Sequence, residues 1–209
     1  MKVIYTILES EQYLDDIEGV IFDLDDTLYS EKDYVRSGYS KIADFLAIPS
    51  AAQKLWRYFE QRKPAIDLYL SEIGKIDLKE ECLSVYRNQV PDIQLYDGVS
   101  EMLVRLKQRG KKLGIITDGR VEGQQNKITA LGLSSLTDDI IITDALRGAE
   151  FRKPNQAAFQ IMQERWQIPF QKMIYIGDNP LKDFIAPKKL FMNCLFFRNP
   201  DGIYIGHAS

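Results

Sequence analysis

The chain has 209 residues, enough for one α/β domain with a modest insertion but short for two full domains. Its 45% hydrophobic and 27% charged residues exclude a disordered or fibrous chain. A net charge of −3 gives no general attraction to a nucleic acid polymer or an anionic membrane, although a bound cation can reverse the field of a small site.

Residues 1–16 turn acidic where a signal peptide needs an apolar stretch, and no apolar run approaches the roughly 20 residues that span a bilayer. The expectation is a cytoplasmic protein. The first strand-like run is Gly19-Val20-Ile21-Phe22, and it leads into Asp23-Leu24-Asp25-Asp26-Thr27. Helical patterns follow over roughly 32–47, 50–62, 65–73 and 79–88, punctuated by Pro49, Pro64, Gly74 and Pro91. A helix over 100–109 ends at Gly110, and the strand Lys112–Ile116 leads into Thr117-Asp118-Gly119. A helix over 120–131 ends at Gly132, and the strand Asp139–Thr143 follows. Pro154 opens a helix over 154–166, the strand Lys172–Ile176 leads into Gly177-Asp178-Asn179-Pro180, and Asn193–Phe197 is the last strand.

These near-continuous apolar runs suit strands buried on both faces of a parallel sheet. Their alternation with helices predicts an α/β, doubly wound parallel sheet with right-handed crossovers. The stretch from 30 to 94 has no strand-like run, which predicts a small all-helical domain inserted after the first strand. The expected division is a catalytic core of 1–29 and 95–209 and a helical domain of 30–94. Ligands of such sheets bind outside the carboxyl ends of the strands, so the insertion is expected to cover that crevice.

The only histidine is His207, near the C-terminus, which argues against a Ser-His-Asp triad, a Cys-His pair and the usual zinc hydrolase sites. Cys82 and Cys194 have no metal-like spacing and read as buried or half-buried thiols. Any hydrolysis must then use carboxylates, lysine or a hard metal ion. Asp23 and Asp25, Thr117 and Asp118, and Asp178 all follow strand ends, with Asp183 five residues after Asp178 and Lys153 ahead of the 154–166 helix. Taken singly, each is an ordinary turn or surface residue. Several acids on one rim repel one another unless a cation sits among them, and magnesium prefers such oxygen ligands. Together they outline a magnesium site beside a lysine and a hydroxyl, suited to phosphoryl chemistry.

Four segments in order, Phe22–Leu28, Ile115–Gly119, Arg152-Lys153-Pro154 and Ile176–Asp183, make the chain resemble the haloacid dehalogenase superfamily. The resemblance runs over about residues 18–198 and implies a Rossmann-like core with a helical cap of the kind placed between the first two signatures. It implies Asp23 as nucleophile and Asp25 as acid and base, with Thr117, the amides of Asp118 and Gly119, and Lys153 on the phosphate. It also implies Mg2+ on Asp23, the Asp25 backbone carbonyl and Asp178, with Asp183 bound directly or one shell out. Asp25 favours phosphoryl transfer over dehalogenation, since halide leaves without a proton. Asp118 and Arg120 depart from the usual second signature; Arg120 either neutralises Asp118, reaches substrate, or is a solvated first-turn residue. Phe191 stands where relatives often carry glycine.

The expected activity is magnesium-dependent hydrolysis of a small phosphate monoester, such as a sugar phosphate or nucleoside monophosphate. A phosphomutase and a non-catalytic phosphometabolite-binding module remain alternatives, while a receiver domain would be shorter and lack the insertion. Tyr34, Arg36, Tyr39, Arg57, Arg62 and Lys63 are candidate cap contacts, and Leu55, Trp56, Tyr58 and Phe59 read as cap core. Oligomeric state stays open.

Overall fold

The computed structural model describes residues 1–203; His207 lies outside them. By contact the chain divides into two units, Met1–Glu31 with Gln94–Ser209, and Lys32–Ile93.

The first unit is built on one parallel sheet of six strands: β1 Lys2–Ile4, β2 Gly19–Phe22, β3 Lys112–Thr117, β4 Asp139–Ile142, β5 Met173–Gly177 and β6 Asn193–Phe197. Their order is β1-β6-β5-β2-β3-β4, and every neighbouring pair is parallel. The chain leaves β2 toward β3 and β4, then crosses back to β5 and β6. β2 therefore sits where the winding reverses, which is where a doubly wound sheet opens a crevice at its carboxyl edge. The expected α/β sheet is present, with one addition. β1 is only three residues long and pairs at the edge with β6, too short for a period-2 pattern to show.

The helices of the second unit are α1 Glu31–Leu46 (whose first residue belongs to the sheet unit), α2 Ala51–Glu60, α3 Ala65–Glu72 and α4 Lys79–Arg87. The sheet unit carries α5 Val99–Gln108, α6 Val121–Ala130, the short α7 Leu133–Leu136 and α8 Asp144–Arg147, then α9 Ala157–Trp166 and α10 Ile185–Lys189. α5 stops at Gly110, whose φ of 76° lets its amide and that of Lys111 reach back to Lys107 and Leu106. α9 begins later than Pro154 suggests. The Lys153–Pro154 peptide is cis. Asn155 Oδ1 accepts the Ala157 amide at 2.9 Å in the turn ahead of the helix, which starts at Ala157.

Each unit has its own core. Phe159, Met162, Tyr175 and Phe184 fill the sheet unit together with the inward faces of the strands. Trp166 lies on β3 at Gly114, where an added Cβ would come within 2.8 Å of the indole, so a side chain there would displace the ring. In the helical unit Tyr39, Ile42, Leu55, Tyr69, Leu70 and Cys82 are buried, and Trp56, Tyr58 and Phe59 pack against them. Burying a side chain of this size contributes about 1.5–3 kcal/mol, which suits an aromatic-rich run to core duty. Cys82 is buried and Cys194 half-buried. Among the described residues no helix is long and apolar enough to cross a membrane.

Candidate active site

The loop after β2 makes a tight turn at the carboxyl edge of the sheet. The Asp23 amide still donates to Ile176 O of β5 at 2.8 Å, while Leu28 N returns to Leu24 O at 3.0 Å. Asp26 takes a left-handed φ of 52° at this turn. Its carboxylate accepts the amides of Glu31 at 2.9 Å and Ile203 at 2.7 Å, and its carbonyl accepts from Asn199 at 2.8 Å. The turn is thus pinned from both sides, leaving Asp23 and Asp25 to face the crevice.

Lys153 is the hub of the buried charge. Its ammonium forms ion pairs with Asp23 Oδ1 at 2.7 Å and Asp183 Oδ1 at 2.9 Å, and donates a hydrogen bond to Tyr175 Oη at 2.8 Å. Burial alone would lower the lysine; Asp183 and Asp23 more than offset that and raise it well above the usual value. Asp23 is pushed up to about 6, by burial first, against the pull of Lys153. Asp183 is fully buried, and its Oδ2 accepts the Asn179 amide at 2.9 Å. Gly177 makes this possible, because a Cβ there would meet Asp183 Oδ2 at 2.5 Å.

Asp23, Asp178 and Asp183 each offer a carboxylate oxygen within 4.8 Å of the others. Burial and then Asp23 and Asp183 push Asp178 up to about 9. Three hard oxygens crowded to this degree, with more negative charge than the one lysine offsets, are a donor set that fits a divalent cation of the magnesium type.

Asp25 lies in a different environment. It accepts from Tyr29 Oη, from Gln124 Nε2 at 2.9 Å and from Lys127 Nζ at 2.7 Å. Burial raises its carboxyl, but Lys127 and these hydrogen bonds outweigh it, and the net shift is downward. Gln124 and Lys127 sit one turn apart on α6, which puts both on the face toward Asp25. The Gln124 amide also donates to Asp118 O at 2.6 Å.

Asp118 is held by Lys182 at 3.1 Å, Thr143 Oγ1 at 2.9 Å and the Lys153 amide at 3.0 Å. Its counter-ion is Lys182, not Arg120, which is exposed at the start of α6. The reason is topological: Lys182 follows β5 on the same rim, whereas Arg120 starts a helix that turns its side chain to solvent. Thr117 ends β3 and is fully buried, and among the described residues its hydroxyl has no hydrogen-bond partner.

A cavity of about 310 Å³ is lined by Asp23, Asp25, Asp118, Lys153 and Asp178, and also by Glu31, Arg152, Asn179 and Lys182. Thr117, Gly119, Arg120 and the wholly buried Asp183 are not among its lining residues. Sequence reasoning missed Tyr29, Glu31, Gln124, Lys127, Tyr175 and Lys182 as site residues. The Gln124–Lys127 spacing on one helix was the available signal; nothing in the sequence marked Tyr175 or Glu31. Within the helical unit Tyr34 and Tyr39 are buried, Arg36 pairs with Asp33 and stacks over Trp56, and Arg57, Arg62 and Lys63 are exposed.

The family model for haloacid dehalogenase-like hydrolases matches residues 20–197. Glyceraldehyde 3-phosphate phosphatase of Methanocaldococcus jannaschii is 29% identical over 191 residues, covering 84% of this chain and 82% of that protein. Two solved structures share the fold. A haloacid dehalogenase superfamily hydrolase, subfamily IA, of Geobacter sulfurreducens superposes with a TM-score of 0.69 at 17% identity, over 88% of this chain and 89% of its own. The hydrolase YfnB of Bacillus subtilis, bound to magnesium, superposes with a TM-score of 0.63 at 22% identity, over 86% of each chain.

Proposed function

From the premise that this chain belongs to the haloacid dehalogenase-like hydrolases and is a phosphoric monoester hydrolase, we propose a magnesium-dependent reaction through a phosphorylated Asp23. The observation that carries the reading is the contrast between the two aspartates. Asp23 is tied to Lys153 beside Asp178 and Asp183, whereas Asp25 is held apart by Lys127, Gln124 and Tyr29. One is placed as nucleophile, the other as a proton carrier.

In the first step an Asp23 carboxylate oxygen attacks phosphorus, the ester P–O bond breaks, and the leaving oxygen takes a proton from Asp25. In the second, Asp25 takes a proton from water, the hydroxide attacks phosphorus, and Asp23 is released with inorganic phosphate. Splitting one displacement into two lowers each barrier. Asp25 is a carboxylate at rest, since its carboxyl is held below the usual value. A phosphate dianion arriving beside it favours the protonated form needed for the first step. Lys153 offsets charge on Asp23 and on the phosphoryl group, and the Thr117 hydroxyl and nearby amides of Asp118 and Gly119 supply further donors. Asp23, Asp178 and the Asp25 carbonyl would hold magnesium, with Asp183 beside them. When bound, the ion supplies the positive charge that lets carboxylate and phosphate approach.

The substrate is a small phosphate ester of the sugar phosphate or nucleoside monophosphate size, in keeping with the triose phosphate named for the M. jannaschii relative. The helical unit Lys32–Ile93 contributes to substrate choice, as its place after the first signature suggests. The test is phosphate release from a panel of monoesters, with magnesium or chelator, by wild type and Asp23→Asn. Wild type with magnesium should turn over, and Asp23→Asn should lose at least about 10⁴-fold, the scale set by removing a catalytic nucleophile. Activity surviving both chelation and Asp23→Asn overturns the mechanism.

A further inference from the structure

Every cation on the cavity wall is already engaged. Lys153 binds Asp23 and Asp183, Lys182 lies 3.1 Å from Asp118, and Arg152 makes two bonds of 2.6 Å to Asp144. Lys127, behind the wall, holds Asp25. Among the described residues two lining acids lack such a partner: Asp178, which belongs to the three-carboxylate group with Asp23 and Asp183, and Glu31, which lies outside that group. The Glu31 amide is fixed to Asp26, but its carboxylate makes no hydrogen bond or ion pair among the described residues. It stands at the first turn of α1, on the side of the cavity where Asp25 is, and burial followed by Asp25 pushes it up to about 8. The wall on the Asp25 side thus offers a free carboxylate as hydrogen-bond acceptor and no free cation.

Resting on the phosphatase reading above, in which the leaving oxygen departs toward Asp25, we infer that Glu31 is a specificity-determining residue. It selects phosphate esters whose leaving alcohol carries hydroxyl groups, and rejects those whose leaving alcohol carries a second negative charge. A hydroxyl donates to the Glu31 carboxylate. A carboxylate or second phosphate in the same place meets the Glu31 carboxylate, while the nearest cations, Lys127 and Lys182, are already paired with Asp25 and Asp118; the net repulsion is worth about tenfold in binding at an effective dielectric near 20.

A matched pair of esters isolates the charge: glycerol 3-phosphate and 3-phosphoglycerate differ in a hydroxymethyl against a carboxylate. The readout is the ratio of their kcat/KM values with magnesium, at a pH above Glu31's value of about 8 so that its carboxylate is charged. For an ester turned over too slowly, its competitive inhibition of another ester replaces kcat/KM. Wild type should prefer glycerol 3-phosphate. Glu31→Gln should move the ratio toward 3-phosphoglycerate by about tenfold at low salt, less at high salt, and Glu31→Lys further in the same direction. A merely structural role would lower both esters alike. A wild type with no preference, or a ratio unmoved in both variants, overturns the inference while leaving the phosphatase reading intact. Failure of wild type to hydrolyse any monoester overturns both.

Discussion

The two units of this chain handle charge in opposite ways. In the sheet unit Asp23, Asp183, Lys127 and Lys153 are all buried, and each has an ionic partner inside. In the helical unit the buried polar side chains are Ser37 and Gln89 only, among the described residues, and the ion pairs Arg36–Asp33 and Lys54–Glu72 lie at the surface. Burying charge costs stability unless partners offset it, so a protein does it where chemistry needs a dry, preorganised field. The helical unit has no such need, and its stability comes from apolar and aromatic packing.

That contrast breaks most readily at Lys153. Lys153→Met leaves Asp23 and Asp183 buried without their shared cation, and the expected loss is about 3–5 kcal/mol in urea unfolding together with loss of turnover. A variant as stable as wild type would show that the ammonium does not balance these acids. In the helical unit the comparable loss should come from a cavity. Leu55→Ala is expected to cost about 2–5 kcal/mol, whereas Lys54→Ala should leave the melting temperature unmoved, because its pair with Glu72 is exposed. If Lys54→Ala proved the worse of the two, the division of labour would be wrong.

A smaller effect sharpens the comparison through pH. Asp23 and Asp178 keep protons in the folded protein up to about 6 and about 9, while the unfolded chain loses them near 3.8. The unfolded state therefore binds fewer protons across that window, and stability falls as pH rises through it. Asp25 and Asp118 are shifted downward, so their contribution is present above 3.8 and is lost only in acid. In chelator the melting temperature should decline from about pH 4 to about pH 9, and magnesium should flatten the decline. A flat profile in chelator would show that the three acids do not repel one another.

Much of this was legible in advance. The β-branched and aromatic runs that end in Asp23, Thr117 and Asp178 became neighbouring strands β2, β3 and β5, because a run apolar on both faces has nowhere to go but the middle of a parallel sheet. The helical stretch between Asp26 and Tyr96 was visible from its period and its prolines. β1 was not, because three residues carry no pattern, and the start of α9 was misplaced, because Pro154 stands in the turn ahead of the helix instead of inside it. Phe191 has a left-handed φ of 58° and is exposed, a backbone conformation that glycine adopts without steric cost.

The sequence by itself determined which residues could do the chemistry, since strand-end acids, a lysine and no histidine within the described residues leave few hydrolytic mechanisms. Partnership was decided only in three dimensions. Lys182 neutralises Asp118, Lys127 and Gln124 hold Asp25 across a separation of 102 and 99 residues, Tyr175 completes Lys153, and the Glu31 carboxylate is left without a partner among the described residues. Coulomb and hydrogen-bond energies depend on distances of a few ångströms, and those distances are set by which strands adjoin and how each helix packs, information that no local stretch of sequence carries.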